Sequence, residues 1–312
     1  MKSPFAGLGL RTSRGDAFTV WMESAVYNEK RIKKSELLQL LLLDSLYAQS
    51  GSEEVIFQGG TALRWVYGGM RYSEDLDFVT TLPRKKLQII LDGAFQSAQR
   101  ACIAQFGPGK WEYHHKGQRK EAVKVFFIYR PERYRERIAV KLEFEKLRGD
   151  HPPEFQKFIL RDLPLVAGMV ATGRLFLPYS SSIILAETLD EIFSDKIRAL
   201  YERRYIKGRD VYDIWWMKTR LKIMPRWSTV KKKLFMYQAA FVPARGTDYF
   251  TGRTATSDIR AALDRDLSRF LPEDNIAVYR EKGFTEFIAA LNEVNSALVE
   301  KGIANVFESL TD

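Results

Sequence analysis

Val55-Ile56-Phe57-Gln58-Gly59-Gly60-Thr61-Ala62-Leu63-Arg64, followed by Arg71-Tyr72-Ser73-Glu74-Asp75-Leu76-Asp77-Phe78, is the stretch that decides the fold. Val55 to Phe57 reads as a short buried strand that stops at two glycines, and Thr61 to Trp65 opens a helix. Free backbone N–H groups at such a start face an incoming phosphate, and Gly59, Gly60 and Thr61 are the candidate donors. Asp75 and Asp77 flank Leu76 in the next strand-like segment, and a period of two puts both carboxylates on one face with Leu76 and Phe78 on the other. Two oxygen donors on one strand edge suit Mg²⁺ or Mn²⁺, since Mg²⁺ takes one or two carboxylates together with substrate phosphates.

Neither piece is specific by itself, because a Gly-Gly pair is usually a turn and Asp-Leu-Asp is usually a solvated strand edge. In this order, with fourteen residues between Gly60 and Asp75, they resemble the nucleotidyltransferase signature of the DNA polymerase beta superfamily. The Arg-Tyr-Ser-x-Asp-Leu-Asp-Phe context is similar to the AbiEii/AbiGii toxin branch, and it brings Arg71 and Ser73 in as candidate nucleotide contacts. Gly60 stands where many superfamily members carry Ser, which keeps the backbone cradle and removes a hydroxyl.

The chain has 312 residues, enough for two compact domains or one large one. Its 46% apolar and 13% aromatic content supports a substantial core. Lys and Arg exceed Asp and Glu by ten, a balance that favours a polyanionic partner. The cations cluster at Lys30 to Lys34, Arg84 to Lys86, Lys116 to Lys120, Arg130 to Arg137, Arg203 to Arg209 and Lys231 to Lys233. Tyr129, Tyr134, Tyr205 and Trp227 lie among them as candidate base-stacking groups, against the plainer reading of half-buried packing residues. Lys231-Lys232-Lys233 is a candidate RNA contact or a solvated helix face.

A single cysteine, Cys102, excludes an internal disulfide and argues against structural zinc, and three histidines make a histidine-built metal centre improbable. The longest apolar run, Leu37 to Leu43, is interrupted by Gln39 and too short to span a bilayer. With no signal-peptide pattern at the N-terminus, the expectation is a cytoplasmic protein.

Periodicity predicts a helix over 29–50, a second opened by Pro83 and stopped at Gly107-Pro108-Gly109, and strands over 122–129 and 137–145. In the last of these, Ile138, Val140, Leu142 and Phe144 alternate with Ala139, Lys141, Glu143 and Glu145. Residues 155–158 and 163–170 read as a further strand pair. Ser180-Ser181-Ser182 is expected to cap a long helix over 183–204, placing a boundary between a sheet-bearing domain, 1–180, and a helical domain, 181–312. Helices are expected over 209–219, 230–241, 257–270 and 285–301, with a loop over 242–252.

A second constellation supports the first. Lys196-Ile-Arg-Ala-Leu-Tyr-Glu-Arg and Arg209-Asp210-Val-Tyr-Asp213 resemble the second AbiEii signature, in which a helical Lys and an Arg-Asp at the next helix start face the nucleotide pocket. Lys196 would then lie against the triphosphate, and Asp210 would cap its helix or position the attacking hydroxyl. The plain alternatives are a surface pair of Lys196 with Glu191 or Asp195 and a simple helix cap at Asp210.

The resemblance implies an α/β (α+β) polymerase-beta-like mixed sheet with flanking helices, a helical C-terminal domain, and a nucleoside triphosphate in the cleft between them. It implies a third carboxylate from a neighbouring strand, for which Glu143 is the candidate, Glu145 the competitor, and Asp the family's preference. It implies the toxin of a type IV toxin–antitoxin pair, with a cognate antitoxin and an RNA acceptor such as the tRNA end. The alternatives are nucleotide transfer to a protein hydroxyl and an RNA-binding module with a degenerate site.

Overall fold

The computed structural model of the chain describes residues 27–117, 120–133, 136–149, 152–179 and 181–309. Asn28 accepts from the Arg31 N–H (3.0 Å) and so caps the first helix, Glu29–Tyr47 (α1), whose second half is buried nearly all round. Val55–Gln58 (β1) then leads without a linker into Gly59–Trp65 (α2), and the chain returns as Leu76–Thr80 (β2), antiparallel to β1. Pro83 starts Arg84–Phe106 (α3), and Gly107, at φ +84°, stops it.

Gly109–His115 (β3), Ala122–Pro131 (β4) and Ile138–Lys146 (β5) form an antiparallel run, and β5 lies parallel to β2. Phe155–Ile159 (β6) and Ile183–Glu187 (β7) complete a seven-stranded mixed sheet in the order β3-β4-β5-β2-β1-β7-β6, with Pro164–Ala171 (α4) between them. The helices that follow are Leu189–Glu202 (α5), Gly208–Thr219 (α6), Trp227–Phe235 (α7), Arg253–Phe270 (α8), Glu273–Glu281 (α9), Thr285–Glu300 (α10) and Ile303–Glu308 (α11).

The two faces of the sheet divide the labour. Phe57, Phe78 and Phe144 point to the face covered by α1 and α3, with the Phe78 and Phe144 rings stacked at 4.8 Å. Gln58, Asp77 and Glu143 are in register across β1, β2 and β5 on the opposite face. There Ile56 and Val79 pack with Leu147, Met236 and Tyr237 in a small separate cluster.

Several expectations change. Residues 183–187 are a strand, so the boundary expected at 180 falls short of the last strand of the sheet. Ile183-Ile184-Leu185-Ala186 fills the slot parallel to β1, with Phe57 opposite Ala186, and Thr188 rather than a serine caps α5. Residues 164–171 are a helix, because Pro164 presets its first turn and only Val166 is fully buried. Trp111 and Tyr113 pack on Phe127 and Phe95 as part of β3, a strand hidden in the sequence by its exposed Lys110, His114 and His115. Residues 273–281 and 303–308 are further helices, the helix expected over 230–241 runs over 227–235, and a short 3₁₀ turn, Thr247–Thr251, interrupts the expected loop. Among the described residues no helix is long and apolar enough to cross a membrane. Cys102 is free and buried, with its thiol pushed up by desolvation.

Candidate active site

Gly59, the first residue of α2, stands at φ +78°, and an added Cβ there would come within 2.9 Å of Asp77 Oδ2. The glycine thus lets the backbone of the α2 N-terminus lie against the Asp77 carboxylate, which no other residue permits without strain. A Cβ at Gly60 would meet Arg71 Nη2 at 2.4 Å. That guanidinium is fixed, since its Nε and Nη2 donate to Asp213 Oδ1 and Oδ2 at 2.6 and 2.5 Å, and Nη1 donates to the Tyr72 carbonyl. The space a serine would fill at position 60 is therefore taken by Arg71. Gly60→Ser is expected to lower the melting temperature by several degrees, because a buried ion pair must shift; a melting curve matching wild type would refute this.

The Thr61 hydroxyl is fully buried and donates to the Asp75 carbonyl. With its hydroxyl engaged in the fold, Thr61 has its backbone N–H as the candidate phosphate donor. The hydroxyl ties α2 to the segment that carries Asp75 and Asp77. Ser73 is buried, with its Oγ close to Gly60 and its carbonyl accepting from Gln39.

Asp77 is recessed between Gln58 and Glu143. Desolvation raises its pKa, and the charges of Asp75 and Glu143 raise it further against Lys141 and Arg209. Asp75, just ahead of β2, pairs with Lys141 at 2.8 Å. Glu143 occupies the register position beside Asp77 on β5, as its place in the element order suggested, but both its oxygens are paired: Oε1 with Lys124 and Oε2 with Lys141 at 3.2 Å. Burial opposes its ionisation, yet those two lysines hold its pKa below the usual value.

The Asp75/Asp77 edge fits a divalent ion. Gly59 leaves the cleft side of Asp77 clear of any Cβ, and two carboxylates beside a glycine-lined helix start are a hard oxygen donor set that substrate phosphates would complete. Among the described residues no group of three or more Asp, Glu, His or Cys side chains is itself arranged to hold a metal ion, so water or the nucleotide's oxygens would complete the donor set of a metal bound here.

Glu145, one pleat further along the same face, is a different kind of group. Burial pushes its pKa up to about 7, with Glu143, Asp195 and Asp77 adding to the rise and Arg198 opposing it. The folded protein therefore binds more protons than the unfolded chain between about pH 4.5 and 7, and stability falls as pH rises through that window. Glu145→Gln is expected to stabilise by up to about 3 kcal/mol at pH 8 and by little at pH 4.5. Denaturant unfolding at both values checks it, and equal effects at both would overturn it.

The second signature is brought to the first by burial. Lys196 on α5 places Nζ 2.8 Å from Asp210 Oδ1 and 2.9 Å from Asp213 Oδ2 on α6, and Arg203 pairs with Asp210 Oδ2. Lys196 is thus no surface pair with Glu191 or Asp195. Asp210 has both oxygens engaged and is 3% exposed, so it does not position an attacking hydroxyl. Nor is it the cap of α6, which begins after Lys207 with no side-chain cap. Burial would raise its pKa, but Arg203, Lys196 and Arg209 hold it far below the carboxylate range. Arg71, through Asp213, joins this network and is 3% exposed, which makes it a clamp between α2 and α6 rather than a nucleotide contact.

Two cations stand at the start of α6: Arg209, which the second signature placed toward the nucleotide, and Lys207, which was given no role of its own in the sequence. Arg209 lies over the Phe270 ring at 5.6 Å, and although burial works against its charge, Asp75, Asp210 and Asp77 raise its pKa. Lys207 is pushed down to about 8 by burial and by Arg203 and Arg209. Neither forms a salt bridge among the described residues. The signal was present as Lys207-Gly208-Arg209-Asp210 at a helix start, where Gly208 permits close contact: a Cβ there would lie 2.2 Å from the Ala262 carbonyl oxygen of α8.

Lys233 is fully buried among Glu187, Glu191 and Asp195, at 2.6, 3.1 and 2.7 Å, and Lys232 donates to the Pro152 carbonyl. Lys231 lies 5.5 Å from the Trp227 ring. Burial excludes Lys233 as an RNA contact, and Lys231 and Lys232 have neighbours within the fold. Of the aromatic candidates, Tyr129 is buried and Tyr205 is 62% exposed, while Tyr134 lies outside the described residues.

A family model described as "Nucleotidyl transferase AbiEii toxin, Type IV TA system" matches residues 41–298. Two solved structures share the fold. One is a candidate nucleotidyltransferase from H. pylori, 15% identical, covering 88% of this chain and 98% of that one at a TM-score of 0.51. The other is JHP933 from Helicobacter pylori, 16% identical, covering 92% of this chain and all of that one at 0.52. No curated protein matches the chain significantly.

Proposed function

Because the chain belongs to the AbiEii family of nucleotidyl transferase toxins of type IV toxin–antitoxin systems, we propose that it moves a nucleoside monophosphate from a nucleoside triphosphate to an RNA hydroxyl in a reaction that needs a divalent metal. The observation that carries the reading is the close approach of Gly59 to Asp77, where an added Cβ would come within 2.9 Å of Oδ2; it supports a phosphate cradle beside a carboxylate suited to a metal. Asp75 and Asp77 would hold Mg²⁺ or Mn²⁺, which would supply charge neutralisation and alignment to the triphosphate. Backbone N–H groups at the start of α2 bind phosphate oxygens. Arg209 and Lys207 bind the pyrophosphate side, where a polyanion relieves the crowding of their positive charges. Lys196 spends two donors on Asp210 and Asp213 and keeps a third for phosphate.

In the transfer the acceptor oxygen bonds to the α-phosphorus, the bond from that phosphorus to the bridging oxygen breaks, and the electron pair leaves with pyrophosphate. The hydroxyl proton passes to water. Toxin families of this type imply a cognate antitoxin. A tRNA end is the acceptor we favour, supported by the cationic surplus of ten and by the exposed Lys30, Arg84, Lys85 and Lys86.

Purified protein incubated with each α-labelled nucleoside triphosphate, Mg²⁺, total RNA and cell protein tests this. Label in RNA that disappears in chelator is the expected result. Label in protein alone would replace the acceptor, and no label with any nucleotide would overturn the reading.

A further inference from the structure

The carboxylate edge already holds a cation of the chain's own. Lys141, two residues before Glu143 on β5, bridges Asp75 Oδ2 (2.8 Å) and Glu143 Oε2 (3.2 Å). Lys124, directly opposite Glu143 on β4, takes the other oxygen of that carboxylate. No oxygen of the third carboxylate is left without an ammonium partner. Lys141 is 23% exposed, so its ammonium is a partly desolvated charge held among Asp75, Asp77 and Glu143 rather than a loose surface group.

An ion bridging Asp75 and Glu143 would need oxygens at about 2.0–2.1 Å if it were Mg²⁺. The same oxygens now sit at hydrogen-bonding distance from nitrogen, and the ammonium and an ion cannot share that space. Charge argues the same way. Asp75, Asp77 and Glu143 face Lys124, Lys141 and Arg209, so the cluster is balanced before any ion arrives. The carboxylates therefore have no unmatched negative charge of their own left to draw a second ion. Lysine suits this position because it is a compact point charge on a flexible stem.

We propose that Lys141 fills the place of a second divalent ion, so that the protein binds no more than one such ion, and that Glu143 is a positioning residue that holds Lys141 rather than a metal ligand. This rests on the reading that Asp75 and Asp77 hold the one ion.

The test counts bound Mn²⁺ per chain on chelator-stripped protein, by equilibrium dialysis and by electron paramagnetic resonance of the free ion. Wild type is expected to bind no more than one, Lys141→Met one more than wild type, and Lys124→Met the same number as wild type. Two ions in wild type would overturn the proposal, as would a Lys141→Met count equal to wild type. A gain in Lys124→Met equal to that in Lys141→Met would also overturn it, since any loss of positive charge would then suffice. If Lys141→Met fails to fold, Lys141→Gln takes its place, and the wild-type count stands by itself. Asp77→Asn separates the two readings: it is expected to abolish Mn²⁺ binding, and an unchanged count there removes the metal assignment itself together with this proposal.

Discussion

Asp77→Asn is expected to reduce nucleotide transfer by at least about 10³-fold, about 4 kcal/mol of transition-state stabilisation, while leaving the protein at least as stable as wild type without metal. The two halves of this result have one cause. Asp77 is desolvated and faces the charges of Asp75 and Glu143, so its carboxylate is costly to keep in the folded protein. Asparagine keeps the shape against Gly59 and removes the charge, so the repulsion is relieved and the ion's second ligand is lost. Single-turnover transfer at matched Mg²⁺, beside a melting curve in chelator, measures both. Wild-type transfer would end the metal-site reading. A large loss of stability would show that Asp77 is held by favourable contacts rather than against repulsion.

Lys233→Met is expected to cost about 3–5 kcal/mol of stability, the largest folding effect predicted for this chain, because it strips the cation from a buried group of carboxylates. Lys233 is fully buried and touches Glu187 at the end of β7, Glu191 and Asp195 on α5, while Tyr237 just beyond α7 donates to Asp195 at 2.6 Å. The knot joins the end of β7 to α5 and α7. Without the ammonium, three carboxylates remain in a region where burial already raises the pKa of Glu187 well above its ordinary value, the Lys233 charge opposing the rise. Part of the loss should return at acid pH, where protonation removes the repulsion. Urea unfolding at pH 5 and pH 8 measures it. A loss under about 1 kcal/mol at both would return Lys233 to the class of surface lysines. Affinity for RNA in the folded Lys231→Ala variant should match wild type, since that side chain lies against Trp227.

The sequence by itself determined the strand–glycine–helix–strand unit and the place of Asp77 on the face of β2 opposite to Phe78. Both follow from local rules, the freedom of glycine at positive φ and the period of two in a strand, which need no knowledge of the rest of the chain. The extent of α1, the stop of α3 at Gly107 and the alternation in β5 were legible for the same reason. Charged side chains were not, because a Lys or Asp in a helix reads as solvated until its neighbours are known. Lys196, Asp210, Asp213 and Arg71 come from α5, α6 and the segment before β2, and only their packing turned a string of surface-looking charges into one buried network. The same packing hid Lys233 in the interior, drew residues 183–187 into the sheet beside β1, and brought Arg209 toward Asp75 and Asp77. A charge's role is set by its desolvation and by partners distant in sequence, and the three-dimensional arrangement alone supplies both.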